Sequence, residues 1–226
     1  SSAASDVYKR QLQDPAARTV IAQCANQRRA PLEILEEPAR GYAIGLPGEH
    51  QQHNAALALA ALHALEVPLN YDTVQAGLSS ASWPGRFERP TPSALPGQPE
   101  ELILDIAHNP AAARCLAATW HQHFGDQKAR LLFGSLSTKD TVGILEHLLP
   151  LASEILLVPI NSPRAISPED LQRLLPAGHP PAQPFSDLLD ALRHPGEGPL
   201  LVTGSAFLVG EVKALLEGVP HARSAQ

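Results

Sequence analysis

The chain has 226 residues, 44% of them hydrophobic and 18% charged, which is enough apolar material for one full core and part of a second. A formal net charge of -6 and a pI near 5.9, with the 17 Lys and Arg scattered, leave no basic field to attract nucleic acid or anionic lipid. Cys24 and Cys115 lack the spacing of a disulfide framework or a metal site, and no apolar run approaches the ~20 residues that span a bilayer, so a cytoplasmic protein is expected.

Residues 1–10 match no periodic element and, in a chain without methionine, read as a segment foreign to the fold. From 14 to 29, Ala17, Val20, Ile21, Cys24 and Ala25 recur at helical spacing, with Asp14 as N-cap and Pro15 at the first helical position. Residues 32–44 can supply one or two short strands and end in the turn Gly45-Leu46-Pro47-Gly48. Residues 51–65 predict an Ala/Leu-rich helix, and 71–80 a shorter one opening on Asp72. The block 11–82 is helix and loop with little strand, the tail of a domain rather than a whole one.

The pattern changes at Trp83. Apolar runs at 102–107, 131–134, 155–160 and 200–203 alternate with helical patterns near 110–124, 138–149, 167–175, 186–193 and 205–217. Strands apolar on both faces and separated by helices predict an α/β fold over 83–218, a doubly wound, mostly parallel sheet, with 219–226 as a tail. Ligands of such sheets bind beyond the carboxyl ends of the strands, here after Leu104, Phe133, Val158 and Val202. The proline-rich stretches 90–99 and 176–184 read as surface connections.

The densest polar signal lies at the first of those ends. In Leu104-Asp105-Ile106-Ala107-His108-Asn109-Pro110 a buried strand runs into a helix capped by Asn109 and opened by Pro110, an anion site flanked by Asp105 and His108. Organisation of the turn by Asp105 and Asn109, with His108 solvated, explains the same residues without a ligand. Gly48-Glu49-His50-Gln51-Gln52-His53-Asn54 brings two histidines and an asparagine into one helical turn; Asn54 offers the donor and acceptor that read a purine edge, whereas i,i+3 histidines without a third ligand are no metal site. In Trp83-Pro84-Gly85-Arg86-Phe87-Glu88, Arg86 suits a phosphate or carboxylate, or else a surface pair with Glu88. Weaker signals follow the second strand, Gly134 to Asp140, and the last, Thr203-Gly204-Ser205, where capping by Thr138 and Ser205 accounts for most of the pattern. No G-x-x-x-x-G-K-[ST] loop, G-x-S-x-G elbow or G-x-G-x-x-G fingerprint occurs.

Taken in order, G-E-H-Q-Q-H-N-A-A, P-G-R-F-E, L-D-I-A-H-N-P and T-G-S resemble the second half of the folylpolyglutamate synthase and dihydrofolate synthase family, of the Mur ligase superfamily, over about residues 11–217. Gln51 after His50, and P-G-R-F-E paired with L-D-I-A-H-N-P, favour this branch over the cell-wall ligases, which share the helix and the A-H-N-P turn. The resemblance implies that 11–82 is the C-terminal fragment of a central ATP-binding domain and 83–218 a ligase domain. It implies ATP contacts at Asn54, Arg86 and Asp105, and places His108 and Ser205 near an incoming L-glutamate. Arg86, Asp105 and His108 are then the catalytic candidates, while Lys139 and Asp140 match a family pair without an assigned role. The implied reaction activates a dihydropteroate or folate carboxylate as an acyl phosphate for attack by glutamate, in a monomer using ATP and Mg2+. The phosphate-binding loop and magnesium ligands would lie upstream of residue 11, so the chain is expected to be inactive alone. Another Mur-type peptide ligase and a non-catalytic nucleotide- or glutamate-binding module are the competing readings. A nicotinamide-dependent oxidoreductase lacks its glycine-rich turn here.

Overall fold

The computed structural model describes residues 8–11, 15–90, 99 and 101–219, and it divides between Ser82 and Trp83 into two units. The expected Asp14 cap, most of the 90–99 connection and most of the tail lie outside the described residues.

In the first unit, helix α1 (Pro15–Gln27) joins two parallel strands, β1 (Tyr8–Gln11) and β2 (Leu32–Leu35), in register from Tyr8 with Leu32 to Gln11 with Leu35. The pairing takes in three residues of the segment 1–10 that the sequence pattern set apart. Helices α2 (His50–Ala64) and α3 (Tyr71–Ser79) follow. Asn70, not Asp72, caps α3: its side chain accepts from the Thr73 N–H at 2.9 Å, while Asp72 sits in the first turn. The Gln75 side chain bonds both backbone groups of Ala43, and Tyr42 stacks on Tyr71 at 5.2 Å, fastening the 41–45 turn to α3. Burial in these helices is slight. Gln51 and Ala55 are the buried residues of α2, whose Leu62 stays exposed.

The second unit is built on a five-stranded sheet in the order β3-β7-β4-β5-β6, with every neighbouring pair parallel. Its strands are β3 (Leu102–Leu104), β4 (Ala129–Phe133), β5 (Ala152–Leu157), β6 (Ala182–Pro184) and β7 (Leu200–Thr203). Alternate residues feed two cores, because side chains along a strand point to opposite faces. Ile103, Leu131, Phe133, Ile155 and Leu201 pack under α4 (Pro110–Phe124), α5 (Thr141–Leu148) and α6 (Pro168–Arg173). Leu102, Leu104, Leu132, Leu156 and Val202 pack under α7 (Leu188–Arg193) and α8 (Ala206–Glu217). Each such side chain, taken from water, contributes roughly 1.5–3 kcal/mol before entropy is counted.

The connections give this sheet its functional edge. β7 lies between β3 and β4, yet α8 leaves it for one face while α4 and α5 leave their strands for the other. The loops after β3, β7 and β4 therefore part at their carboxyl ends and open a crevice.

Element bounds differ from expectation in ways with physical causes. The first strand stops at Leu104 because pairing changes partner: Asp105 N–H still donates to Val202 O, but Ile106 N–H donates to Gly85 O. α5 opens at Thr141 on the side chain of Asp140, which accepts from Gly143 N–H, so Thr138 is not its cap. Strand β6 falls within 176–184, read above as a connection. It is an edge strand of three residues whose Pro184 needs no ladder partner on its open side.

Candidate functional site

Three loops at the carboxyl ends carry the expected residues, and the first is fixed by Asp105. Its Oδ1 accepts from Ala107 N–H and its Oδ2 from Phe87 N–H, each at 2.9 Å, so one carboxylate shapes its own turn and binds the 84–88 loop to β3. A two-residue antiparallel bridge completes the seam, Glu88 and Leu104 exchanging both backbone hydrogen bonds at 2.9 Å. Gly85 makes this approach possible: at φ +70, a Cβ there would stand 2.8 Å from Ile106 Cγ2. Burial raises the Asp105 pKa to about 6, against the two N–H donors and the Arg86 charge, which all favour the carboxylate.

Arg86 is thereby held beside Asp105. Glu88, its simplest expected partner, instead takes Lys213 and the Gly85 N–H, and Arg86 makes no ion pair among the described residues. Phe87 turns the other way and is buried, stacked on His123 at 5.0 Å and edge-on to Trp120 at 6.4 Å.

His108 follows at the next turn. Its Nδ1 lies 2.9 Å from Ile106 O, and a carbonyl can only accept, so Nδ1 carries the proton and Nε2 keeps a lone pair or a second proton for other chemistry. Asn109 caps α4 by accepting from Ala112 N–H at 2.9 Å, with Pro110 at the first helical position as the sequence indicated. On the neighbouring strand Ser205 caps α8, its Oγ accepting from Phe207 N–H at 3.1 Å. Gly204, at φ +99, lets that loop press against β4: a Cβ there would meet Gly134 O at 2.4 Å. Just before it, the buried hydroxyl of Thr203 has no hydrogen-bond partner among the described residues.

These loops enclose a cavity of about 200 Å³ walled by His108, Thr138, Lys139, Arg164, Ser205 and Phe207, among others. His108, Lys139 and Ser205, picked out on separate strands, thus converge. Arg164 was not picked out. The signal for it was the Val158 strand end itself, whose following loop 159–166 carries it. Asp105 and Arg86 do not line the cavity wall. Asn54 belongs to the other unit, exposed at the start of α2, where its Nδ2 donates to Gln51 Oε1 at 2.8 Å and Gln51 Nε2 meets His50 Nε2 at 3.0 Å. Among the described residues no group of three His, Cys, Asp or Glu could hold a metal ion, and no helix is long and apolar enough to cross a membrane.

Comparison with known proteins places this geometry. The family described as Mur ligase, glutamate ligase domain, matches residues 85–205, from the glycine of the 84–88 loop to the cap of α8. The dihydrofolate synthase/folylpolyglutamate synthase of Mycobacterium tuberculosis is 39% identical over 136 residues, covering 57% of this chain and 26% of that protein. The crystal structure of M. tuberculosis folylpolyglutamate synthase complexed with ADP and AMPPCP superposes with a TM-score of 0.78 at 26% identity, covering 95% of this chain and 56% of that one. A bifunctional folylpolyglutamate synthase/dihydrofolate synthase from Yersinia pestis, complexed with AMPPNP and a Mn ion, gives 0.73 at 30% identity over 88% of this chain and 50% of that one. The chain thus spans little more than half the length of these relatives at most.

Proposed function

The chain belongs to the Mur ligase, glutamate ligase domain family, and we propose that it supplies the C-terminal, amino-acid-binding portion of an ATP-dependent ligase. That ligase joins L-glutamate to dihydropteroate, to (tetrahydro)folate polyglutamates, or to both. The observation that carries the reading is the crevice, where His108, Lys139 and the α8 start at Ser205 converge within the segment matched by the family. The similarity to folylpolyglutamate and dihydrofolate synthases, and the nucleotides held by two of them, support the substrates.

In this reaction the pteroate or folate carboxylate becomes an acyl phosphate, and the glutamate amine attacks its carbonyl, leaving an amide, ADP and phosphate. The residues of this chain bind, orient and move a proton. Arg86 faces the transferred phosphoryl oxygens with a fork that no carboxylate among the described residues occupies. Asp105 faces the nucleotide with its remaining lone pairs and, through the Phe87 N–H, holds the loop that carries Arg86. Asn54 meets the adenine edge. His108, with Nδ1–H fixed on a carbonyl, presents Nε2 to take the proton that the amine must lose, and Ser205 with the N-terminal N–H groups of α8 anchors a glutamate carboxylate. A divalent cation, magnesium, neutralises phosphate charge in chemistry of this kind. Among the described residues no group of three His, Cys, Asp or Glu could hold it. The working unit is a cytoplasmic monomer.

The 226-residue chain alone is expected to release no ADP in response to glutamate. Joined in frame to the upstream half of the M. tuberculosis relative, it should do so with dihydropteroate, tetrahydrofolate or both, which also separates the two activities. A folded fusion that binds ATP but shows no glutamate-dependent turnover with either substrate would overturn the reading.

A further inference from the structure

We propose that Arg164 reads the side-chain carboxylate of the incoming amino acid and so makes the crevice specific for a dicarboxylic substrate. The inference rests on the reading of the crevice as an amino-acid site and adds a specificity residue to it.

Charge is the first argument. Two fixed cations, Lys139 and Arg164, line the cavity, and no acidic side chain among the described residues lines it with them. Neither cation makes an ion pair among the described residues. An amino acid whose amine has lost its proton for attack carries one negative charge if its side chain is neutral and two if its side chain is a carboxylate. Only the second matches the wall.

Placement across the sheet decides which cation takes which carboxylate. The strand order puts His108 beyond β3, Ser205 beyond the adjacent β7, Lys139 beyond β4 and Arg164 beyond β5. The amine must lie by His108 and the α-carboxylate is one carbon from it, so the end of the side chain reaches the far wall, where Arg164 stands.

The backbone of Arg164 is built into place. Ser137 N–H donates to Arg164 O at 2.9 Å and Ile166 N–H to Ser135 O at 3.0 Å, around a bridge between Leu136 and Ala165. This short antiparallel ladder joins the loop after β5 to the loop that carries Lys139. Both cations thus hang from one paired backbone framework.

The test is titration of the full chain with L-glutamate and L-glutamine by calorimetry, with backbone NMR shifts at His108 and Ser205 locating the ligand. The wild-type chain should favour glutamate by about tenfold or more, the range of a charge-assisted bond. Arg164→Gln should lose roughly ten- to a hundredfold in glutamate affinity with glutamine unchanged, and Arg164→Lys should recover part of the preference. Glutamate bound at His108 and Ser205 with the same preference in Arg164→Gln overturns the role of Arg164 and leaves the amino-acid site standing. Equal loss of both ligands also overturns it, by revealing a merely structural part. Silence at both residues with either amino acid in a folded wild-type chain overturns the crevice reading and the inference together.

Discussion

The two ends of the parallel sheet each hold an arginine, and they treat it in opposite ways. At the amino ends, Arg130 on β4 is buried at 3% exposure; its Nε meets Glu154 on β5, its Nη2 donates to His194 O at 2.6 Å, and Gly196 packs so close that a Cβ there would collide with the guanidinium. At the carboxyl ends, Arg164 is exposed, lines a cavity and, among the described residues, is fastened through its backbone. One end spends its cation on the fold. The other leaves two cations on a cavity wall without an ion pair among the described residues, forgoing whatever stability a partner carboxylate would have contributed.

The largest effect should come from breaking the closed end. Arg130→Met leaves Glu154, among the described residues, with His194 at 3.6 Å as its one ionic neighbour and takes the donor from the His194 carbonyl, a loss of about 3 kcal/mol of the kind seen when one member of a buried pair is removed. Urea unfolding of the chain would read it as a lowered midpoint with an unchanged slope. Arg130→Met with Glu154→Leu should recover part of the loss, since the stranded charge goes too. A drop below ~1 kcal/mol for the single variant would mean that the amino end is as loosely held as the crevice.

A smaller effect belongs to Asp105, a carboxyl off the cavity wall whose two oxygens each accept a backbone N–H. Burial lifts its pKa from 3.8 to about 6, so between those values the folded chain holds a proton that the unfolded chain has released. Its contribution to stability is full below the lower value and is lost as the pH rises through the upper one. Subtracting the Asp105→Asn curve from the wild-type curve across pH 4 to 7 should expose that falling slope, and the carboxyl carbon of Asp105 should titrate near 6. Titration at or below the ordinary carboxylate range would mean that the Phe87 and Ala107 N–H groups and Arg86 outweigh burial. The carboxylate would then belong wholly to the frame.

The same division explains what the sequence could and could not reveal. Apolar runs, and the caps Asn109 and Ser205, are local signals, and the parallel sheet with its carboxyl-end loops was legible from them. Partners brought from another strand were not. Arg130 marked the apparent edge of an apolar run because its counter-charge, Glu154, lies 24 residues on. Glu88 looked committed to Arg86 two positions away, when the fold delivers Lys213 from 125 residues off. Asp140 displaced Thr138 as a cap because a turn stabilised by the Lys139 N–H bond to Leu136 O delays the start of α5. Arg164 sits in a loop with no periodicity at all, and only its strand-end position spoke for it.

The smallest expected effect is the most discriminating. Lys139→Gln, at a cation with no carboxylate to pair it among the described residues, should leave the urea midpoint unmoved within ~0.5 kcal/mol, as for substitutions away from caps and packed cores. It could even stabilise slightly, because Lys139 and Arg164 share a cavity wall on which no acidic side chain stands among the described residues. Glutamate affinity should nevertheless fall severalfold, and added salt should weaken the wild-type chain more than the variant, which has one charge fewer to screen. A stability-neutral change that costs binding is the mark of a group held in reserve for a ligand. A change that lowers stability and binding together would place Lys139 with Arg130, as a cation the fold itself requires, and would close the contrast between the two ends of the sheet.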